Sequence, residues 1–344
     1  GYVVATSLLG PRAGLTSGSA LLVDYVLTVT TSIAAAGDAI FSVVPPEWHG
    51  LKLGVEIVFL LALTVLNSRG VRESVLALLP IFVVFLVTHA VLIATGVLRQ
   101  LPELGGAFRH LGSDYHQGIG VLGTGGLALL FVRAYSLGGG TYTGIEAVSN
   151  GLPIMREPRV QTGKRTMLYM ALSLALTAGG LLLCYLLWHI TPVAGKTMNA
   201  VLVERLTTGM PMAHELAVIT LLAEGALLVV AAQAGFIDGP RVLANMAVDH
   251  WAPHRFASLS ERLTTRNGIL LIGVAAVAAL LYTHGNVGQL IVMYSINVFL
   301  TFSLSMFAMF RFWVKQRHAR KEAGRRIVLF ASAFVVCATI LVIT

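Results

Sequence analysis

The sequence predicts an all-α polytopic membrane protein, and three features carry that expectation. Only 12% of its 344 residues are charged while 56% are hydrophobic, against about 25% charged in soluble domains, and the mean hydropathy is +0.81. Apolar stretches of spanning length recur at 16–44, 51–67, 74–98, 123–152, 166–190, 212–240, 268–283, 286–310 and 327–344, because a hydrocarbon core of about 30 Å needs roughly 20 residues of helix. The net charge of +8 follows the connections between these spans: eighteen Lys and Arg fall in one alternating set, five in the other, and Arg133 lies within a span. Positive residues collect on the cytoplasmic side, so the first span runs from inside to outside and the basic character reports topology rather than nucleic acid. One transmembrane domain over 1–344, in the cytoplasmic membrane, is the expected organisation. The chain starts at Gly1 and ends on apolar LVIT, which reads as part of a longer membrane protein.

The first span contains LLVDYVLTVTTS, residues 21–32. Asp24, Thr28 and Thr31 recur at spacings of four and three, with Tyr25 and Ser32 beside them, so a helix gathers these polar groups on one face. At 1.5 Å per residue Asp24 lies roughly 12 Å above the cytoplasmic start of the span. An intramembrane carboxylate costs at least ~2.5–3.5 kcal/mol, so it must face the bundle interior with a partner or a hydrated path. No Lys or Arg stands near it in the helix. A packing bond to a neighbouring helix and a place on an ion path both satisfy that requirement. In the next two spans Glu56 and His89 lack such a stripe, and His89 reads as a packing histidine.

The fourth span holds FVRAYSLGGGTYTGIEAVSN, residues 131–150. Gly138, Gly139 and Gly140 come near mid-depth, and glycine inside a helix costs up to ~1 kcal/mol each relative to alanine. A helix break there must face protein or a water-filled cavity. Discontinuous helices at this depth line substrate and ion sites in secondary transporters, while a run of small residues also lets helices pack closely. Thr143-Gly144-Ile145-Glu146 fits a capping box at the start of a restarting helix. The literal G-x-G-x-x-G at Gly118–Gly123 lacks the preceding strand that a dinucleotide site requires, and no nucleophile elbow, zinc-protease pair or phosphate loop supports an enzyme. Cys184 of the fifth span and Cys337 of the ninth have no metal-spaced partner and read as packing residues. In the sixth span Glu224 reads as an ion-pair partner of Arg133, and Gln233 as an interhelical hydrogen-bond donor. Residues 241–267 form an expected cytoplasmic amphipathic segment, and three further apolar spans complete the chain.

Three stretches together resemble the amino acid–polyamine–cation (APC) permease superfamily: GYVVATSLLGPRAGLTSGSALLVDYVLT at the start, GGGTYTGIEAVSN at the glycine run, and DGPRVLANMAVDHWAPHRFASLS after the sixth span. Within it, DYVLT and GGGTYTGIE are most similar to the KUP-type potassium:proton symporters of the KimA-like kind. The resemblance implies a LeuT-like fold of two inverted five-helix repeats, 5+5, followed by extra helices. Aligned on the glycine run, these spans resemble helices 3–11, with helices 1 and 2 absent, so half of the central site would lie outside this chain. It also implies that the cation is held at positions matching Asp24, Tyr25, Thr28, Ser32, Thr143, Glu146 and Tyr294, with Gly138, Gly139, Gly140 and Gly144 forming the helix break. Tyr294, in LIVMYSIN, comes from the resemblance alone.

The function so implied is secondary active transport, with proton-coupled potassium uptake first and an amino-acid permease, for a cationic substrate, as its alternative. A non-transporting scaffold or sensor would leave the polar stripe without a role. Potassium and protons are cargo here and no cofactor is expected. The expected partners are the lipid bilayer and the transported cation, with no nucleic acid; a homodimer and a cytoplasmic regulatory domain outside the chain stay open.

Overall fold

The computed structural model describes residues 2–70, 75–138, 148, 152, 155–209, 212–258, 265–318 and 322–344. These form helices α1 (Tyr2–Leu9), α2 (Pro11–Phe41), α3 (Lys52–Ser68), α4 (Val75–Arg99), α5 (Leu104–Leu137), α6 (Arg159–Leu187), α7 (Met198–Thr207), α8 (Ala213–Val248), α9 (Arg266–Thr283), α10 (Val287–Lys315) and α11 (Ala323–Ile343). Among the described residues nine helical stretches are long and apolar enough to cross a membrane, and α1 and α7 are the short ones.

Local chemistry explains where several helices depart from their expected bounds. Pro11 opens α2 at its first turn, where proline's missing N–H has no helical partner to lose, so α2 starts five residues before the apolar pattern does. The fourth span begins earlier still. Residues 104–122 are helical despite their polarity, and Gly123, at φ 70° and ψ 169°, joins them to the apolar half of α5 at a kink. In α8 the helix runs on through Pro240 to Val248. The first two turns of the segment expected at 241–267 are therefore a continuation of the span, followed by a short 3₁₀ turn at His254–Phe256. Proline inside a helix forfeits one backbone bond but keeps a helical φ, and Gly268 of α9 makes room for this one, since a Cβ there would stand 2.9 Å from Pro240 Cβ.

The core is a block of α2, α3, α8 and α9, with α10 laid against it. Leu27, Val29 and Ile33 of α2 meet Leu60 and Leu63 of α3, Ala232 and Phe236 of α8, Ile272 and Leu280 of α9, and Leu290, Tyr294 and Val298 of α10. α2 and α8 run antiparallel in close contact: Gly225 faces Ile40, Gly235 faces Val29 and the Tyr25 carbonyl, and Gly18 faces Met246. Small residues at such a seam let backbones approach where lipid offers no hydrophobic drive. Polar bonds tie the other pairs. Asn67 Nδ2 donates to Gln233 Oε1 at 2.6 Å, and Thr30 Oγ1 donates to the Ala276 carbonyl at 3.4 Å.

A second cluster joins α4, α6 and α7 to the start of α8 through Leu92, Cys184, Ile190, Leu202, Leu206 and Ala217. Cys184 packs there with its thiol 3.8 Å from the Ile93 carbonyl. Trp188 Nε1 donates to Gly96 O at 2.9 Å, and Arg99 Nη1 donates to Leu206 O at 2.8 Å. Below the core, Tyr2 of α1 donates its hydroxyl to Asp249 Oδ2 at 3.2 Å. Burial, with the Asp249 carboxylate beside it, pushes that phenol up to about 12.

Candidate cation site

The polar stripe of α2 lies inside the bundle. Asp24 is 3% exposed and Thr28 6%, and the hydroxyls of Thr28 and Thr31 are buried with no hydrogen-bond partner among the described residues. An unpaired buried hydroxyl costs about 1–3 kcal/mol, which two successive turns of one helix accept here. Thr30, one residue away, donates to the Val26 carbonyl at 2.8 Å. Tyr25 turns toward α8: its Cβ packs by Gly239, and it shares a cluster with Tyr2, Leu21, Val242 and Met246. Ser32 is half-buried.

Two other elements reach this region. α10 packs alongside α2 and carries Tyr294, 3% exposed, in the same core cluster as Leu27 and Ile33. The next residue, Ser295, donates to the Ser136 carbonyl of α5 at 2.7 Å, and Ser136 Oγ donates to the Arg133 carbonyl at 2.7 Å. α5 ends one residue later, and Gly138 is its C-cap, with φ −75° and ψ 3°. The helix is thus pinned to α10 at the first of the three glycines. Gly139, Gly140, Thr143, Gly144 and Glu146 lie outside the described residues. Sequence reasoning misses Ser295 and Ser136; the signal for them is their position, one beside Tyr294 and one just before the glycine run.

Other buried polar groups find partners that differ from those expected. Glu224 accepts from Asn199 Nδ2 of α7 at 3.0 Å, and its other neighbour is His89; Arg133, the partner expected for it, is exposed on α5. A neutral amide on a short helix satisfies this carboxylate more cheaply than a cation drawn out of water. Gln233 takes part in an interhelical bond in which its Oε1 accepts from Asn67 Nδ2, an amide that also donates to the Leu63 carbonyl. Glu56 is fully buried in the first turns of α3, with Lys52 Nζ 3.6 Å away. The same Lys52 hydrogen-bonds Asp38 of α2. A cavity of about 470 Å³ opens near the C-terminal end of α2, among Ser42, His49, Lys196, Glu204 and His214, well along α2 from Asp24.

Among the described residues nine helices are long and apolar enough to cross a membrane, and with the polar stripe of α2 buried between them they define a multi-pass helical protein of the cytoplasmic membrane. A family model described as amino acid permease matches residues 1–344, and the chain belongs to that family, within the APC superfamily. It is similar to "Potassium transporter KimA" of Bacillus subtilis (strain 168), with 31% identity over 316 residues, covering 92% of this chain and 50% of that protein. The chain therefore spans about half the length of this curated relative.

Proposed function

We propose that this chain forms part of a proton-coupled potassium carrier and that α2 supplies oxygens to the transported ion. The observation that carries the reading is the column of buried oxygens on α2: the Asp24 carboxylate, then the hydroxyls of Thr28 and Thr31, the last two without hydrogen-bond partners among the described residues. A hard cation takes oxygen ligands in place of its hydration shell, and a cation offsets at once the cost of unpaired hydroxyl lone pairs and of an intramembrane carboxylate. The name of the Bacillus subtilis relative supports the same cargo. Tyr294, Thr143 and Glu146 are assigned to the site through the superfamily resemblance, as are Tyr25 and Ser32. An exchangeable proton on one of the carboxylates would couple uptake to the proton gradient.

The description of the matching family favours a second reading, an amino-acid permease. A carboxylate at Asp24 repels a substrate carboxylate, so this reading fits best with a substrate that is cationic overall. Rubidium uptake by the full gene product in proteoliposomes separates the two. The potassium reading expects saturable rubidium uptake that potassium competes away and arginine or lysine does not, with a sharp loss in Asp24→Asn at normal protein levels. Full uptake by that variant, with unchanged affinity, would defeat the assignment of Asp24.

A further inference from the structure

A second group of titratable side chains is enclosed between α4 and α8, apart from the oxygens of α2. Its geometry defines a place for a proton. Glu224 Oε2 accepts from Asn199 Nδ2 at 3.0 Å, and the amide is held in that orientation because its Oδ1 accepts from the Tyr185 hydroxyl. His89 is 1% exposed, and its Nδ1 lies 3.0 Å from the Phe85 carbonyl. A carbonyl oxygen can only accept, so Nδ1 carries a hydrogen and the neutral ring has its lone pair on Nε2. That nitrogen lies 3.9 Å from Glu224 Oε2 and has no hydrogen-bond partner among the described residues. Two acceptors facing each other in a buried site lack one proton.

We propose that His89 Nε2 and Glu224 Oε2 together bind a proton. It arrives from water, attaches to either atom, and turns the opposed lone pairs into a charge-assisted hydrogen bond; no other bond forms or breaks. Among the described residues the surrounding helices offer no other group for the task. On α6 the neighbours are Tyr185, already donating to Asn199, and Cys184, packed on Ile93. On α7 Glu204 is engaged by Lys196, and Arg205 donates to the Trp188 carbonyl. Arg99 of α4 donates to Leu206. Along α8, His214 and Glu215 stand at its start and Asp238 faces Arg241 more than three turns away. α2 has Asp24 and Asp38, the latter bound by Lys52, which also serves Glu56 of α3; α9 carries Arg266 and Tyr282 only at its ends.

The pair joins two packed groups. His89 belongs to the helix that seats α6 and α7, and Glu224 to a helix of the central block. Proton binding adds a bond between them, and proton loss leaves a buried carboxylate facing a lone pair. Only the consequence for coupling rests on the carrier reading above; the proton site itself does not.

The test is an infrared difference titration of the purified full gene product across the pH range in which it stays folded, together with proton uptake per chain. The wild type is expected to show a carboxyl–imidazole step that Glu224→Gln abolishes, with about one proton fewer taken up, and that His89→Gln moves by about one pH unit or more. The amide introduced by Glu224→Gln keeps an acceptor for Asn199; should that variant fail to accumulate, His89→Gln reads the same step from the other side. Wild-type amplitude and midpoint in the variants obtained overturn the proposal. The pH profile of rubidium uptake is expected to flatten in both. Absence of rubidium uptake in the wild type would sink the potassium reading, and the titration would still decide the proton site.

Discussion

At the scale of single residues, α2 separates ligand chemistry from packing chemistry. Thr28 buries a hydroxyl that finds no partner among the described residues, so Thr28→Val, which keeps the shape, is expected to hold or raise thermal stability, by up to about 1 kcal/mol. It should nevertheless weaken rubidium uptake several-fold. Unchanged uptake affinity would remove Thr28 from the site. Ser295 gives the opposite pattern. Its bond to the Ser136 carbonyl is buried and joins residues 159 apart in sequence, so Ser295→Ala should cost about 1 kcal/mol and speed amide exchange in the last turn of α5. Exchange unchanged there would mean that the bond does not anchor the helix. The difference in legibility has the same origin. Asp24, Thr28 and Thr31 follow the helical period within one span, so spacing alone reveals their shared face. The partners of Ser295 and Glu224 depend on which helices pack together, and charge alone pairs Arg133 with Glu224 although the structure leaves Arg133 exposed.

Helices meet through glycine where the candidate site is set. A Cβ at position 235 of α8 would stand 2.5 Å from Val29 Cγ2 and 2.8 Å from the Tyr25 carbonyl oxygen. The oxygen belongs to the backbone of α2 and cannot swing aside, so Gly235→Ala must move one helix. We expect it to lower stability by about 1–3 kcal/mol and, by displacing the turn that carries Asp24, to reduce uptake as well. Gly179 on α6 is the control, because a Cβ there meets nothing within 4 Å. Gly179→Ala should be neutral or stabilising by roughly 0.5–1 kcal/mol through helix propensity. Equal melting temperatures for both variants in detergent would contradict the close seam between α2 and α8. The existence of the apolar helices is legible from hydropathy alone. Their ends are less so, since α2 begins at Pro11, α5 reaches back past a kink at Gly123 and α8 runs on through Pro240, each beyond the bounds of the apolar pattern. α5 ends at Leu137 with Gly138 as its C-cap, and the rest of the glycine run lies outside the described residues.

For the whole molecule, two orderings must agree: the antiparallel packing of the helices and the alternation of charge between them. α2 and α8 lie antiparallel with glycines at their contacts, and the charge pattern independently puts the N-terminal end of α2 and the C-terminal end of α8 on one side. Arg12 marks the first, and Arg241 and Arg255 the second. The bond between Tyr2 and Asp249 joins those same two ends, which is what a single cytoplasmic face requires. Lys and Arg near short loops set orientation because moving them across the bilayer is costly, so cysteine reporters can test the whole arrangement. Cys184→Ala and Cys337→Ala give a background without thiols in this chain, as Cys184 packs against a carbonyl and both are free. Into it go reporters at the exposed positions Glu157, Ser258 and His318 on the basic side, and at Glu47 and Thr191 on the other. In intact cells a membrane-impermeant maleimide should modify Glu47→Cys and Thr191→Cys at once, and the other three only after the membrane is opened. Labelling of two of those three from outside would invert the orientation, and with it the side from which the proposed ion path fills.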